Sequence, residues 1–188
     1  LNAGPGAVGS LYVHERHHGR GPGLAGWWGS DKQRQFDMAP TFTPASTAGA
    51  WQISTPSVLG AAALYGSLRL IREAGMAHLR DKSLALTGLL IELADRYLAP
   101  LGFEVGTPRD PERRGGHVAL EHPAAIRIAR ALKARGIVPD FRPPNVIRLA
   151  PVPLYTRYRD VGEVVTALRS IVESGEHLSF VDERAVVA

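Results

Sequence analysis

Arg148 stands as a lone cation in the apolar, β-prone run Asn145-Val-Ile-Arg-Leu-Ala-Pro-Val-Pro-Leu-Tyr155. A guanidinium buried in such a run needs an anion, because a buried charge left unpaired is strongly destabilising. Its planar fork matches a carboxylate through two parallel hydrogen bonds, and that carboxylate is either a bound ligand's or an internal Asp or Glu. Gly26-Trp27-Trp28-Gly29 places two indoles between glycines. The pattern serves core packing, or a site where an indole N–H meets an anion or the ring lies flat on another ring. Ser54-Thr55-Pro56 lies just ahead of a helix expected to begin at Ser57. Hydroxyls there cap the helix by default, and with the free amides of a helix start they also make an anion site.

Two further patterns carry less. Gly4-Pro-Gly-Ala-Val-Gly9 satisfies G-x-G-x-x-G, but no strand precedes it and the following residues keep breaking with Gly and Pro, so it reads as a turn. His14, His17 and His18 have no carboxylate or cysteine framework, and Arg16 and Arg20 beside them repel a cation. They read as exposed loop histidines, and no metal site is expected. His78, His117, His122 and His177 show no spacing of a catalytic pair and read as surface or strand-end residues.

These side chains need a scaffold. Residues 1 to about 50 read as loops, marked by Gly4-Pro5-Gly6, Gly19-Arg20-Gly21-Pro22-Gly23 and Pro40-Thr-Phe-Thr-Pro44. The periodicity predicts a helix over 57–75 through Val58, Ala62, Leu64, Leu68 and Ile71, stopped by Gly75. A second helix is predicted over 78–97, with Leu79, Leu86, Leu90 and Leu93 among its apolar set and Pro100 and Gly102 ending it. The period then changes. Strands are predicted at 103–106 and 116–120 around the charged loop 107–114, followed by an amphipathic helix over 124–135 with Gly136 as its cap. Strands at 137–141 and 146–149 and a helix over 161–173 complete an α+β unit, a small sheet with helices on one face. Residues past Glu176 read as a frayed tail with partial disorder.

At 188 residues the chain fills one ordinary domain, or a small domain plus pieces of another. No run approaches the roughly eighteen apolar residues of a membrane span, and the first residues lack the build of a signal peptide. A soluble protein is expected. The absence of cysteine removes disulfides and thiolate metal sites and fits a cytoplasmic setting. The net charge of +4 raises nucleic acid as a partner, but the basic residues are interleaved with Asp and Glu rather than gathered in a stripe, which argues against it. A loop-rich opening without an initiating Met leads us to expect the C-terminal part of a longer polypeptide.

Taken together, Leu1-Asn-Ala-Gly-Pro-Gly6, Gly26-Trp-Trp-Gly29, Ile53-Ser-Thr-Pro56 and Ile147-Arg-Leu-Ala-Pro-Val-Pro-Leu-Tyr155 resemble kynureninase in order and separation. Lys82-Ser-Leu-Ala-Leu-Thr87 and Arg114-Gly-Gly-His117 match as well, so the resemblance spans nearly all of residues 1 to 175. It implies an α/β, fold-type-I pyridoxal-phosphate (PLP) transferase-like fold of the class V aminotransferase kind. In that frame residues 1–56 belong to the large cofactor-binding domain, 57–100 are connecting helices, 101–176 form the small α+β domain and 177–188 are a tail. The implied activity is hydrolysis of L-kynurenine, or its 3-hydroxy form, to an anthranilate and L-alanine in tryptophan catabolism and NAD biosynthesis, by a cytoplasmic homodimer.

The resemblance also implies roles. Arg148 falls where the family binds the substrate α-carboxylate. Trp27 and Thr55 match positions that reach across the dimer interface to the cofactor phosphate of the neighbouring subunit, and Ser54 and Trp28 match positions beside the substrate's aromatic part. The Schiff-base lysine of the family falls upstream of Leu1, and Lys32, Lys82 and Lys133 stand in other contexts, so no catalytic residue is expected within the chain. Ser30 departs from the histidine common in the family, which leaves substrate preference and loop geometry open. Two other readings stand beside this one: a fold-type-I enzyme of cysteine desulfurase-like or aminotransferase-like chemistry, and a noncatalytic interaction module.

Overall fold

The computed structural model describes residues 6–182. Residues 1–5 and 183–188 lie outside the described residues, and with them most of the opening Leu1–Gly6 motif and the start of the G-x-G-x-x-G run. The chain divides into two compact units, residues 1–73 and 74–188.

The first unit is loop up to Ser57, punctuated by 3-10 turns at Glu15–His17, Trp27–Gly29 and Ala48–Trp51 and by a β-bridge between Ser30 and Pro44. Helix α1 follows at Val58–Ala74, close to its predicted span. Its cap is Ser57, whose Oγ accepts the Gly60 N–H at 3.3 Å while its carbonyl accepts the Ala61 N–H. Ser54 and Thr55 therefore do not cap it, contrary to the default expectation. Pro56 holds the residue before it extended, so the helix begins only beyond the proline. No residue of α1 is buried, and Val58, Leu59, Tyr65 and Leu70 are exposed. The loop histidines are less exposed than expected: His17 and His18 are half-buried, and a His18 ring nitrogen pairs with the Val13 carbonyl at 3.0 Å.

In the second unit Gly75, at φ +78°, breaks the chain ahead of α2, Met76–Tyr97. Four strands follow: β1 Glu104–Val105, β2 Val118–Glu121, β3 Asp140–Arg142 and β4 Val146–Leu149. They form one antiparallel sheet in the order β1-β2-β4-β3. Helix α3, Ala125–Ala134, lies between β2 and β3 in the chain, and α4, Tyr158–Glu173, closes the unit. Alternation along the strands sends Val118, Leu120, Ile147 and Leu149 into a core with Leu86 and Leu90 of α2, Ile128 and Leu132 of α3, and Val165 and Leu168 of α4. The helices cover one face of the sheet, as expected.

Element boundaries moved for local reasons. The strand predicted at 137–141 shifts to Asp140–Arg142 because the Ile137 N–H turns back to the Leu132 carbonyl at the end of α3, and Pro139 has no N–H for a ladder. Helix α4 begins at Tyr158 rather than Val161, because the Asp160 carboxylate accepts the Arg157 N–H at 2.8 Å and stabilises a charged first turn. The expectation of a frayed tail from residue 177 is overturned for its first part. Glu176–Ser179 is a 3-10 turn whose Glu176 pairs with Arg135, and Phe180 packs on the core.

Of the histidines read as surface or strand-end residues, His177 is placed differently, while His122 stands at a strand end as expected. His177 is buried, with its Nδ1 at 3.1 Å from the Ile171 carbonyl. His122, at the end of β2, lies against Phe103 with ring centroids 4.6 Å apart. Its Nδ1 accepts the Ala124 N–H at 3.0 Å and its Nε2 faces the Leu101 carbonyl at 3.2 Å, an arrangement that suits the neutral ring with its proton on Nε2. Burial pulls the His122 pKa below the usual histidine value, the Leu101 bond opposes this, and His177 adds to it. The unfolded chain then takes up a proton at a higher pH than the folded one. Stability from this group is complete above about pH 6.5 and declines as pH falls towards the lower folded-state value. Thermal denaturation of the protein between about pH 8 and about pH 5 should show this acid-side loss, and His122→Asn should flatten it. A stability that rises on acidification in this window would refute the assignment.

Candidate functional site

In the first unit the site residues are brought together by two glycines. A Cβ on Gly26 would lie 1.9 Å from the Ile53 carbonyl oxygen, and one on Gly29 would lie 2.5 Å from that of Ala50. Only glycine permits this approach of two backbones. The contact seats Trp27 and Trp28 beside Ile53, and Ser54 and Thr55 follow directly along the chain.

The indoles of Trp27 and Trp28 meet edge to face at 5.5 Å, and Trp27 meets Phe36 at 5.9 Å. Trp27 is nonetheless 49% exposed. Packing and availability therefore coexist at this turn. Lys32 places its Nζ 4.5 Å from the Trp28 ring centroid and donates to the Trp28 carbonyl, so it is committed to the turn. The Ser54 and Thr55 side chains are exposed, and among the described residues their hydroxyls make no hydrogen bond. Ser30 closes the turn through its backbone N–H to the Trp27 carbonyl and lines a groove with Trp27, Arg34, Gln35, Met38 and Phe42.

Arg148 belongs to the second unit. Ile147 and Leu149 on either side of it point into the core, so the pleat turns Arg148 to the face away from the helices. Its side chain is 35% exposed, and the expectation of a fully buried guanidinium is corrected. Asp140, its cross-strand neighbour on β3, accepts a hydrogen bond from Nε at 2.7 Å and another from Nη2 on the same Oδ2. Arg142 Nε reaches that Oδ2 at 3.1 Å. The hydrogen bonds from Arg148, with the charges of Arg142 and Arg148, hold the Asp140 carboxyl below the usual carboxylate range. An internal anion is thus present, yet Arg148 Nη1 has no hydrogen-bond partner among the described residues. The guanidinium retains a free edge for a second carboxylate.

Sequence reasoning missed Asp140. Its signal lay in the short connection Pro143-Pro144-Asn145, which folds β3 back on β4 so that 140 faces 148 and 142 faces 146. The Lys82–Thr87 and Arg114–His117 motifs do meet, in a structural role. Arg114 Nε donates to Thr87 Oγ1 at 3.2 Å and Nη2 to the Leu84 carbonyl at 3.3 Å, while Arg80 Nη1 donates to the Arg114 carbonyl at 3.1 Å. These bonds pin the charged loop 107–114 to α2. Among the described residues no group of three or more His, Cys, Asp or Glu is placed to hold a metal, and no helix is long and apolar enough to cross a membrane.

The architecture has close counterparts among solved structures. An apo cysteine desulfurase from Thermococcus onnurineus NA1 superposes with a TM-score of 0.68 over 87% of this chain and 42% of its own, at 18% identity. A variant of C-DES with glycine covalently linked to its PLP cofactor gives 0.66 over 84% of this chain and 40% of its own, also at 18% identity. The chain therefore has the fold of the fold-type-I PLP-dependent enzymes. Residues 79–168 match the kynureninase C-terminal domain. All 188 residues align with a kynureninase from Geobacillus thermodenitrificans at 52% identity and with one from Bacillus cereus at 50%. The chain spans 44% of the length of each of these relatives.

Proposed function

We propose that this chain is part of a PLP-dependent hydrolase that converts L-kynurenine, or its 3-hydroxy form, to an anthranilate and L-alanine. The observation that carries this reading is the 52% identity to a curated kynureninase over the whole of the chain. The residues present also fit the cofactor: the exposed Trp27 and Thr55 offer an indole N–H and a hydroxyl, neither engaged among the described residues, as donors to phosphate oxygens.

In this reading bound PLP would supply an electron sink at the substrate's amino-bearing carbon, which allows the carbon–carbon bond one position further along, between the β-carbon and the γ-carbonyl, to be cleaved. The chain's residues bind and orient. The free edge of Arg148 takes the α-carboxylate through parallel charge-assisted hydrogen bonds, which fixes how the α-carbon is presented. Ser54 and Trp28 stand beside the aromatic part, and Trp27 and Thr55 hold the cofactor phosphate of a neighbouring subunit in a cytoplasmic homodimer. The imine-forming lysine is supplied from outside this chain.

The test is to mix the holoenzyme with L-kynurenine and follow anthranilate fluorescence, with alanine measured in parallel. Equal amounts of the two products are expected. Sulfur release from cysteine, or transamination without anthranilate, would replace this reading with the desulfurase-like or aminotransferase-like one.

A further inference from the structure

On the face of the sheet away from the helices, where β1 and β2 place Glu104 and Glu121, the pair β3 and β4 carries a row of three charges, Arg142, Asp140 and Arg148. We propose that Asp140 is a positioning residue for Arg148, holding one edge of its guanidinium so that the other is presented, already oriented, to the substrate carboxylate. The inference rests on the carboxylate-binding role proposed for Arg148 and adds to it a second residue and a charge balance.

Three observations carry it. The first is the choice of edge. Asp140 Oδ2 engages Nε and Nη2 of Arg148, while Nη1 has no partner among the described residues. A guanidinium is planar and rigid, so a grip on one edge fixes the plane and direction of the other. An arginine held this way has less rotamer freedom left to lose when a ligand binds.

The second is charge. Asp140 alone would cancel Arg148 and weaken its pull on an incoming anion. Arg142, with its Nε at 3.1 Å from the same Oδ2, restores the balance, so two guanidinium groups share one carboxylate and the row keeps a net positive charge. The third is exposure. The side chains of Asp140 and Arg148 are 45% and 35% accessible, and ion pairs this open add little to folding stability. Orientation is the effect such a pair still supplies.

The experiment uses the holoenzyme with its amino acid substrate, and two inhibitors that differ only in whether they carry the α-carboxylate. Asp140→Asn keeps the shape and removes the charge. It should raise KM and the inhibition constant of the carboxylated inhibitor about tenfold, with kcat changed far less and the decarboxylated inhibitor unaffected. Asp140→Glu, which restores the charge on a longer arm, should recover part of the loss. Arg142→Gln should raise KM in the same direction, because it leaves Asp140 facing Arg148 alone.

A purely structural pair would lower the thermal midpoint without separating the two inhibitors, and that result overturns the proposal. So does a lower KM in Asp140→Asn, which would make Asp140 a competitor that the substrate must displace. If Arg148→Ala weakens the carboxylated inhibitor and Asp140→Asn does not, the positioning role fails while the carboxylate role of Arg148 stands. If Arg148→Ala does not separate the two inhibitors, both fall.

Discussion

Replacing Arg148 with alanine should remove most of the holoenzyme's affinity for a carboxylated substrate analogue and leave its folding stability almost unchanged. The side chain is 35% exposed, and its strand neighbours Ile147 and Leu149 keep their core contacts whatever occupies position 148. Asp140 retains Arg142 as a partner, so no isolated charge is created. The stability cost should therefore stay within about 1 kcal/mol, as for other exposed ion pairs. Binding is another matter. The analogue's carboxylate loses its paired, charge-assisted donors, which is worth about 2–5 kcal/mol, or roughly thirty-fold to a few thousand-fold in dissociation constant. Calorimetric titration of wild type and Arg148→Ala measures the difference directly. Unchanged affinity would remove Arg148 from the proposed site.

Ile147→Ala, one residue away, should do the reverse. Ile147 is fully buried at the centre of the sheet, on an interior strand paired on both sides, and faces the core under the helices. Truncation removes apolar contacts and leaves a cavity that a sheet flanked by three helices cannot readily collapse, at a cost of about 2–5 kcal/mol. Denaturant unfolding of the holoenzyme should show that loss as a lower midpoint with little change in slope. A loss below about 1 kcal/mol would contradict the packing described for this position. The two adjacent substitutions thus separate binding from stability on a single strand, because the pleat sends neighbouring side chains to opposite faces.

The second unit could be read from sequence because its signals are local. Leucines at helical spacing mark α2, and alternation marks β4, whose bounds at Val146–Leu149 are as expected. Boundaries moved where a hydrogen bond decided the matter rather than a pattern, as with the Arg157 N–H on Asp160 at the start of α4. The tail was misjudged for a similar reason. Glu176-His177-Leu178 has the composition of a frayed end, and only the fold shows that His177 finds the Ile171 carbonyl and Glu176 finds Arg135.

The candidate site divides the same way. Residue type and flanking glycines singled out Trp27 and Trp28, and the close approach of Gly26 to Ile53 accounts for both glycines. Arg148 was singled out as a charge in an apolar run, but the run does not tell which face of the sheet the charge occupies. Asp140 had no signal of its own, since its importance lies in a cross-strand register that a short connection enforces. Ser54 and Thr55 looked like caps, because capping depends on which residue a proline allows to start the helix, and here that residue is Ser57.

The strand that carries Arg148 has ladders on both sides, whereas Trp27, Trp28 and Ser30 stand on a single 3-10 turn and its flank. On the proposed reading, the moiety that every amino acid shares is met by the backbone least able to drift, and the moiety that tells one amino acid from another is met by a loop. Change in substrate choice within such a lineage should then accumulate at residues like Ser30, where replacement disturbs no ladder, while position 148 stays fixed through every change of diet.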